Sequence, residues 1–210
     1  MAILDEADGA ELAWEEGPPL RAEDRLAAPL EAAVLEGYGP YLAALRAAGP
    51  EAEPEARLAA IAQALQDLGR FRLLCGQRQG PRGVAGLARA AGASLRRAGL
   101  LGPAAELLPG RALLIRRNDP ALGLSNGDLG LVAWDRQPGA AELRLRAWFP
   151  GAAGEAPRPL ALARLPAWED ALVMSIHKSQ GSEFDRVAVV LPEALSPLLG
   201  RELLYTALTR

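Results

Sequence analysis

Apolar residues recur at three- and four-residue spacing between Arg21 and Ala48, at Leu26, Leu30, Val34, Leu35, Tyr38, Tyr41, Leu42 and Leu45. That period lines one face of a helix. Gly37, Gly39 and Pro40 interrupt the run, so it predicts two helices. The polar stretch GPEAEPE at 49–55 reads as a loop, and Ala56 to Leu68 as a third amphipathic helix closed by Gly69. Phe71 to Cys75, FRLLC, is a short apolar run suited to a buried strand. A Gly-rich loop, GQRQGPRG, leads from it to a helix over Val84 to Ala98. Upstream of all this, residues 1–24 are acidic and Ala-rich, broken by Gly17, Pro18 and Pro19.

The pattern changes after the Gly-Pro pairs at Gly102–Pro103 and Pro109–Gly110. RALLIRRN, GDLGLVAWD, AELRLRAWF and PRPLALARL alternate or are rich in β-formers, with turn pairs at Asn126–Gly127, Pro138–Gly139 and Pro150–Gly151. Asn126–Gly127 suits a tight hairpin needing positive φ. Four or five short strands over 111–166 predict a small barrel inserted into a larger domain, since so short a segment makes a marginal core alone. Trp134, Trp148 and Trp168 are expected in its core rather than stacked on bases. Then Ala171 to Ile176 reads as a strand, HKSQGSEFD as a polar turn, Arg186 to Leu191 as a second buried strand, and Glu202 to Thr209 as a helix. Strands flanking an insertion fit an α/β domain interrupted in the middle.

Composition narrows the classes. The chain of 210 residues is 50% hydrophobic, enough for a sizeable core. Its net charge of −3 carries no bulk basic signature, so any nucleic-acid contact must be local. The single cysteine, Cys75, excludes an intrachain disulfide and suits a reducing, cytoplasmic setting. No apolar run reaches the roughly 18 residues of a membrane span, and no signal-peptide pattern opens the chain. All basic residues but one are arginine, so an isolated Arg says little. The sole lysine, Lys178, stands beside the sole histidine, His177, and that pairing says more.

Those two lie in SIHKSQGSEFD, Ser175 to Asp185, between two apolar strands. Such a turn at a strand's carboxyl end is where open α/β sheets bind ligands. Gly181 permits close backbone approach, Gln180 and Glu183 can hydrogen-bond a nucleotide, and Ser175 and His177 can meet a phosphate backbone. The segment resembles motif V of superfamily 1 helicases in its RecD-like form, with Ser175 where Thr is usual. The last ten residues, RELLYTALTR, resemble motif VI, whose final Arg is an arginine finger; the resemblance places that role on Arg210. FRLLCGQRQGPRGVAGL is similar to the motif IV region of the exodeoxyribonuclease V alpha subunits. It sets Arg78 on the family Arg and Ala88 where the family has Asn. RNDPALGLSNGDLGL, from Arg117 to Leu131, resembles the start of their SH3-like insertion. It is chiefly architectural, with Asn118 or Arg117 a candidate DNA contact.

The resemblance implies an α/β fold: the second RecA-like (P-loop NTPase-type) motor domain of a superfamily 1 helicase with an inserted small SH3-like β-barrel. Residues 1–70 would be a helical lead-in, 71–109 and 169–210 the RecA-like domain, and 110–168 the insertion. It implies ATP-driven 5′-to-3′ movement on single-stranded DNA within exodeoxyribonuclease V, beside its beta and gamma subunits. Arg210 and Gln180 would be catalytic, and Arg78, Gly181 and Glu183 would bind nucleotide. Ser175, His177, Lys178 and Asn118 would face DNA, and no resident metal site is expected. ATP and Mg²⁺ both need the N-terminal motor domain. The sequence has no G-x-x-x-x-G-K-[ST], so the chain alone is expected to lack ATPase activity. ILDEAD at 3–8 is not expected to be a Walker B motif, because only four residues precede Asp5, too few for a complete core strand. Two rival readings remain: a stand-alone RecD-like helicase, and a non-catalytic DNA-binding or scaffold module.

Overall fold

The computed structural model describes residues 20–21, 25–80, 82–103, 107–136, 142–152, 155–191 and 206–207. The ILDEAD stretch, the Pro138–Gly139 turn and Arg210 lie outside them. Of the helix expected over 202–209, the described residues Thr206 and Ala207 are helical.

Two short strands, β1 (Leu20–Arg21) and β2 (Arg25–Leu26), pair antiparallel ahead of the first helix, so no helix starts at Arg21. Helix α1 (Ala28–Ala47) then runs unbroken through Gly37, Gly39 and Pro40. The expected division into two helices is therefore wrong. An interior proline costs about 3 kcal/mol. Burying Val34, Tyr38, Tyr41 and Leu42 along one face returns roughly 1.5–3 kcal/mol each, so packing wins. Gly39 also lacks the Cβ that would clash with the proline ring in a helical pre-proline residue.

Helix α2 (Pro54–Arg70) starts with proline in its first turn and passes directly into β3 (Phe71–Cys75). Gly69 is inside this helix and does not close it: the chain turns extended at Phe71 (φ −123°, ψ 143°), with no left-handed residue needed. Arg57 pins the preceding loop, donating through Nη2 to the carbonyls of Pro50 (3.0 Å) and Ala52 (2.6 Å). β3 is buried throughout, and α3 (Val84–Arg97) follows it as the sequence predicts.

The insertion begins with β4 (Ala112–Ile115), β5 (Leu129–Asp135), β6 (Arg144–Phe149), β7 (Arg158–Ala161) and β8 (Trp168–Asp170). They form one antiparallel sheet in the order β7-β6-β5-β4-β8. The side-chain period of two divides this sheet between two cores. Leu113, Ile115, Val132, Ala147 and Phe149 pack on one face. Ala112, Leu114, Leu131, Ala133 and Trp148 belong to the same cluster as α1, α2, α3 and β3. Trp148 is buried as expected, whereas Trp134 and Trp168 are half-buried.

Asn126–Gly127 does adopt the expected positive φ, at Gly127 (+98°), but not in a two-residue hairpin. It closes a longer connection over 116–128. Asn118 Oδ1 accepts the Asn126 N–H (2.7 Å), and Arg158 donates to the carbonyls of Leu122 (2.5 Å) and Gly123 (2.6 Å).

Past the insertion, β9 (Val173–Ser175) and β10 (Arg186–Val190) flank β3 in a parallel sheet of order β10-β3-β9. The two chain crossings between the sheets are tied to α1. Tyr38 donates its hydroxyl proton to the Leu172 carbonyl and accepts the Leu73 N–H (3.2 Å), while Tyr41 donates to the Gly110 carbonyl (3.1 Å). Arg111 and Asp170 pair across the same joint (3.1 Å).

Burial pushes the Tyr38 and Tyr41 hydroxyls above their ordinary 10.0, and the Cys75 thiol from 9.0 to about 11. Folded values above the unfolded ones mean stability that is complete below the unfolded pKa and lost as pH rises through the folded one. The urea midpoint of the chain should therefore fall from about pH 9, the unfolded thiol's value, upward through about pH 11. Tyr41→Phe with Cys75→Ser should flatten that fall; an unchanged slope would show that these groups do not set it.

Candidate nucleotide and nucleic-acid site at the strand ends

The parallel register sets Cys75 opposite both Ser175 and Val190, so the three strands end level. The Gly76 N–H donates to the Val190 carbonyl (3.0 Å), which closes the row. The loop after β3, the loop after β9 and the chain beyond β10 all leave from this one carboxyl edge, the usual ligand edge of an open α/β sheet.

The loop after β3 is shaped by two glycines. Gly80 is left-handed (φ +84°). Gly83 is buried where a Cβ would sit 2.6 Å from the carbonyl oxygens of Arg78 and Gln79. Only glycine lets the chain fold back on itself there. The Gly83 N–H closes the turn on the Gly80 carbonyl (3.0 Å), and Arg78 stays exposed at its apex. Gly83 is also the N-cap of α3, which has no side-chain cap and no acidic residue in its first turn. An uncapped helix start carries partial positive charge.

The loop after β9 opens with a 3-10 turn, Ile176–Ser179, anchored by buried Ile176 and Ser179. Ser179 donates from Oγ to the Ile176 carbonyl (2.8 Å), and the Ser182 N–H donates to the Ser179 carbonyl (3.0 Å). Burying these two positions turns the alternate ones outward: His177, Lys178, Gln180 and Glu183 are exposed. Gly181 is left-handed (φ +85°) with open space where a Cβ would be. Arg78 and Gln180–Gly181 thus stand on loops that leave one sheet edge, whereas Glu183 lies further along its loop, two residues before Asp185, which pairs with Arg70 (3.6 Å) at the amino end of β3.

The other candidates stand differently. Ser175 is 2% exposed, and its Oγ is buried without a hydrogen-bond partner among the described residues. Lys178 binds Glu169 of β8 (2.5 Å), which also meets Arg116 (3.5 Å), so the lysine ties this loop to the inserted sheet. Asn118 sits in the insertion, its amide oxygen occupied by the Asn126 N–H. Among the described residues no group of three or more His, Cys, Asp or Glu could hold a metal ion. No helix among them is long and apolar enough to cross a membrane.

One residue escaped the sequence reading. Arg72, the second residue of β3, is fully buried. It donates to the Ala171 carbonyl and to the Leu68 carbonyl (3.1 Å), and its guanidinium lies 5.2 Å from the centre of the Phe184 ring. The signal was present as a charged residue inside an apolar strand run, a placement that needs built partners.

The family model of the UvrD-like helicase C-terminal domain matches residues 170–210. The RecBCD enzyme subunit RecD of Mycobacterium tuberculosis is 43% identical over 155 residues, which cover 74% of this chain and 26% of that protein. RecD of Haemophilus influenzae is 39% identical over 101 residues, covering 48% of this chain and 13% of its own length. The ATP-dependent RecD2 DNA helicase of Deinococcus radiodurans is 32% identical over 182 residues, covering 84% and 24%. The chain spans about a quarter or less of the length of these relatives.

Proposed function

From the premise that this chain belongs to the RecD-like helicases of superfamily 1, we propose that it is the C-terminal motor part of an ATP-dependent 5′-to-3′ DNA helicase subunit, cytoplasmic and assembled with the beta and gamma subunits of exodeoxyribonuclease V. The observation that carries this reading is the level carboxyl edge at Cys75, Ser175 and Val190, from which the loops bearing Arg78 and Gln180 depart.

In this reading residues 71–109 and 169–210 are the RecA-like domain, 110–168 is its SH3-like insertion, and 1–70 is the lead-in. The exposed donors and acceptors at the edge fit one side of a nucleotide. Arg78 and Gln180 would hydrogen-bond phosphate oxygens, Gly181 would allow close backbone approach, and Glu183 would accept from the ribose. Arg210 would stabilise charge developing at the γ-phosphate. ATP supplies the free energy of movement. The sequence has no G-x-x-x-x-G-K-[ST], so Mg²⁺ and the β-phosphate would be held by the other motor domain. Single-stranded DNA would run past His177 and Lys178, and past Asn118 of the insertion. Ser175 would act from within, its hydroxyl exposed when the loop shifts.

The test is ATP hydrolysis by the full-length protein with and without single-stranded DNA, together with purification in the presence of the beta and gamma subunits. Stimulation with co-purification supports the whole reading. Stimulation by a protein that purifies alone supports the second reading, a stand-alone helicase, which the longer alignment with RecD2 favours. No hydrolysis in either state would leave a DNA-binding module.

A further inference from the structure

The motor reading assigns no role to Arg72, yet this is the largest fully buried side chain among the described residues and carries a permanent charge. Desolvating a guanidinium costs several kcal/mol unless its donors are satisfied, so a purely space-filling role would suit an apolar residue better. Its surroundings explain what the charge does. Nη2 holds the Leu68 carbonyl in the last turn of α2. Nη1 holds the Ala171 carbonyl, in the link between β8 of the inserted sheet and β9 of the parallel sheet. The guanidinium plane covers Phe184, the aromatic residue one position beyond exposed Glu183 in the loop after β9. Arg72 itself is three residues before Cys75, where the Arg78 loop begins. One rigid fork therefore touches the point where the chain leaves the inserted sheet and the loop after β9, from the central strand of the parallel sheet.

We propose that Arg72 is a positioning residue that couples the loop bearing Gln180 and Glu183 to the joint of the inserted sheet through Phe184 and the Ala171 carbonyl, so that a change at the nucleotide edge moves the insertion. This rests on the motor reading. A second link runs in parallel from Lys178 through Glu169 to Arg116, at the surface. The buried fork is the stronger of the two because water does not screen it.

The experiment uses the full-length protein and reads ATP consumed per nucleotide travelled along single-stranded DNA. That ratio is normalised per active molecule, so a variant that merely folds less well does not move it. Arg72→Met removes the fork; Phe184→Leu removes the ring from a half-buried loop position without stranding a buried charge. Both should keep DNA-stimulated hydrolysis per active site within about threefold while ATP consumed per nucleotide rises about fivefold or more, the scale of a typical coupling between sites. The double variant should be no worse than the more severe single one, because both cut the same link. Arg72→Lys, which keeps the charge but not the planar fork, should recover stability and leave the ratio raised. A ratio unchanged in Phe184→Leu, or additive effects in the double variant, would overturn the proposal while leaving the motor reading intact. Absence of DNA-stimulated hydrolysis in the parent would remove the motor reading, and this inference with it.

Discussion

Arg210→Ala in the full-length protein is expected to lower single-stranded-DNA-stimulated ATP hydrolysis by about 10³-fold or more, the scale of an arginine finger. Phosphoryl transfer leaves little covalent chemistry for a protein to do, so most of the acceleration comes from charge placed against the departing phosphoryl group. Arg210 ends the RELLYTALTR segment within the region matched by the UvrD-like helicase C-terminal domain. Lysine is a poor substitute, because a point charge cannot bind two phosphate oxygens in one plane. Arg210→Lys should therefore recover only a small part of the loss. Binding of single-stranded DNA without nucleotide should be unchanged in both variants, since the proposed DNA contacts are elsewhere. A variant that hydrolyses ATP at the parental rate would take the finger away from Arg210 and with it the strongest argument for a motor over a binding module.

The parallel sheet decides which loop residues face solvent. Ser175 and His177 alternate in the sequence as neighbouring candidates for DNA, but the strand's carboxyl end buries the first and exposes the second. Ile176 and Ser179 are the anchors, and the exposed set His177, Lys178, Gln180 and Glu183 follows from them. The anchors make the loop a shaped surface rather than a free tether. Gly83 does the same for the loop after β3, where any side chain would strike the backbone carrying Arg78.

Much of this was legible in the chain. FRLLC and RVAVVL are apolar runs flanked by glycine or polar turns, and both are strands of the parallel sheet. The alternation in GDLGLVAWD and AELRLRAWF marks β5 and β6, because a period of two writes the two faces of a sheet directly into sequence. What could not be read is tertiary. Nothing local says that Ala112, Leu114 and Trp148 pack into the helical core rather than into a separate barrel core. Nor does spacing show that Lys178, at the centre of the most informative motif, is held by Glu169 from the inserted sheet. Arg72 was visible as a charge in an apolar run, but its partners at Leu68, Ala171 and Phe184 come from three separate segments. Gly37 was misjudged for a related reason. Propensity treats a helical glycine as a breaker, whereas here it is the space into which another side chain fits.

Gly37→Ala is accordingly expected to destabilise the chain, against the sign that helix propensity predicts. Alanine in place of a helical glycine normally gains about 1 kcal/mol. At Gly37 the added Cβ would overlap the ring of Phe71, the first residue of β3. That ring cannot simply turn away. It stands edge-on to Tyr38 with centroids 4.9 Å apart, and Arg186 of β10 covers it at 5.4 Å. Both Phe71 and Tyr38 are buried, so relief means displacing α1 from the sheet. Overpacking of this kind costs about 1–3 kcal/mol and can exceed that when the neighbours are rigid, so after the propensity gain the net change should be a loss of about 1–2 kcal/mol. Gly69 supplies the control. It too is helical, but a Cβ there meets nothing within 4 Å, so Gly69→Ala should be neutral or stabilising by up to about 1 kcal/mol. Urea unfolding of the two variants beside the parent would therefore give midpoints on opposite sides of the parental value, or a large fall against no change. Equal shifts would mean that α1 does not seat on Phe71. The tyrosines of α1 would then not be placed to hold the two crossings at Gly110 and Leu172, and the joint between the sheets would have to be secured by Arg72 and the Arg111–Asp170 pair alone.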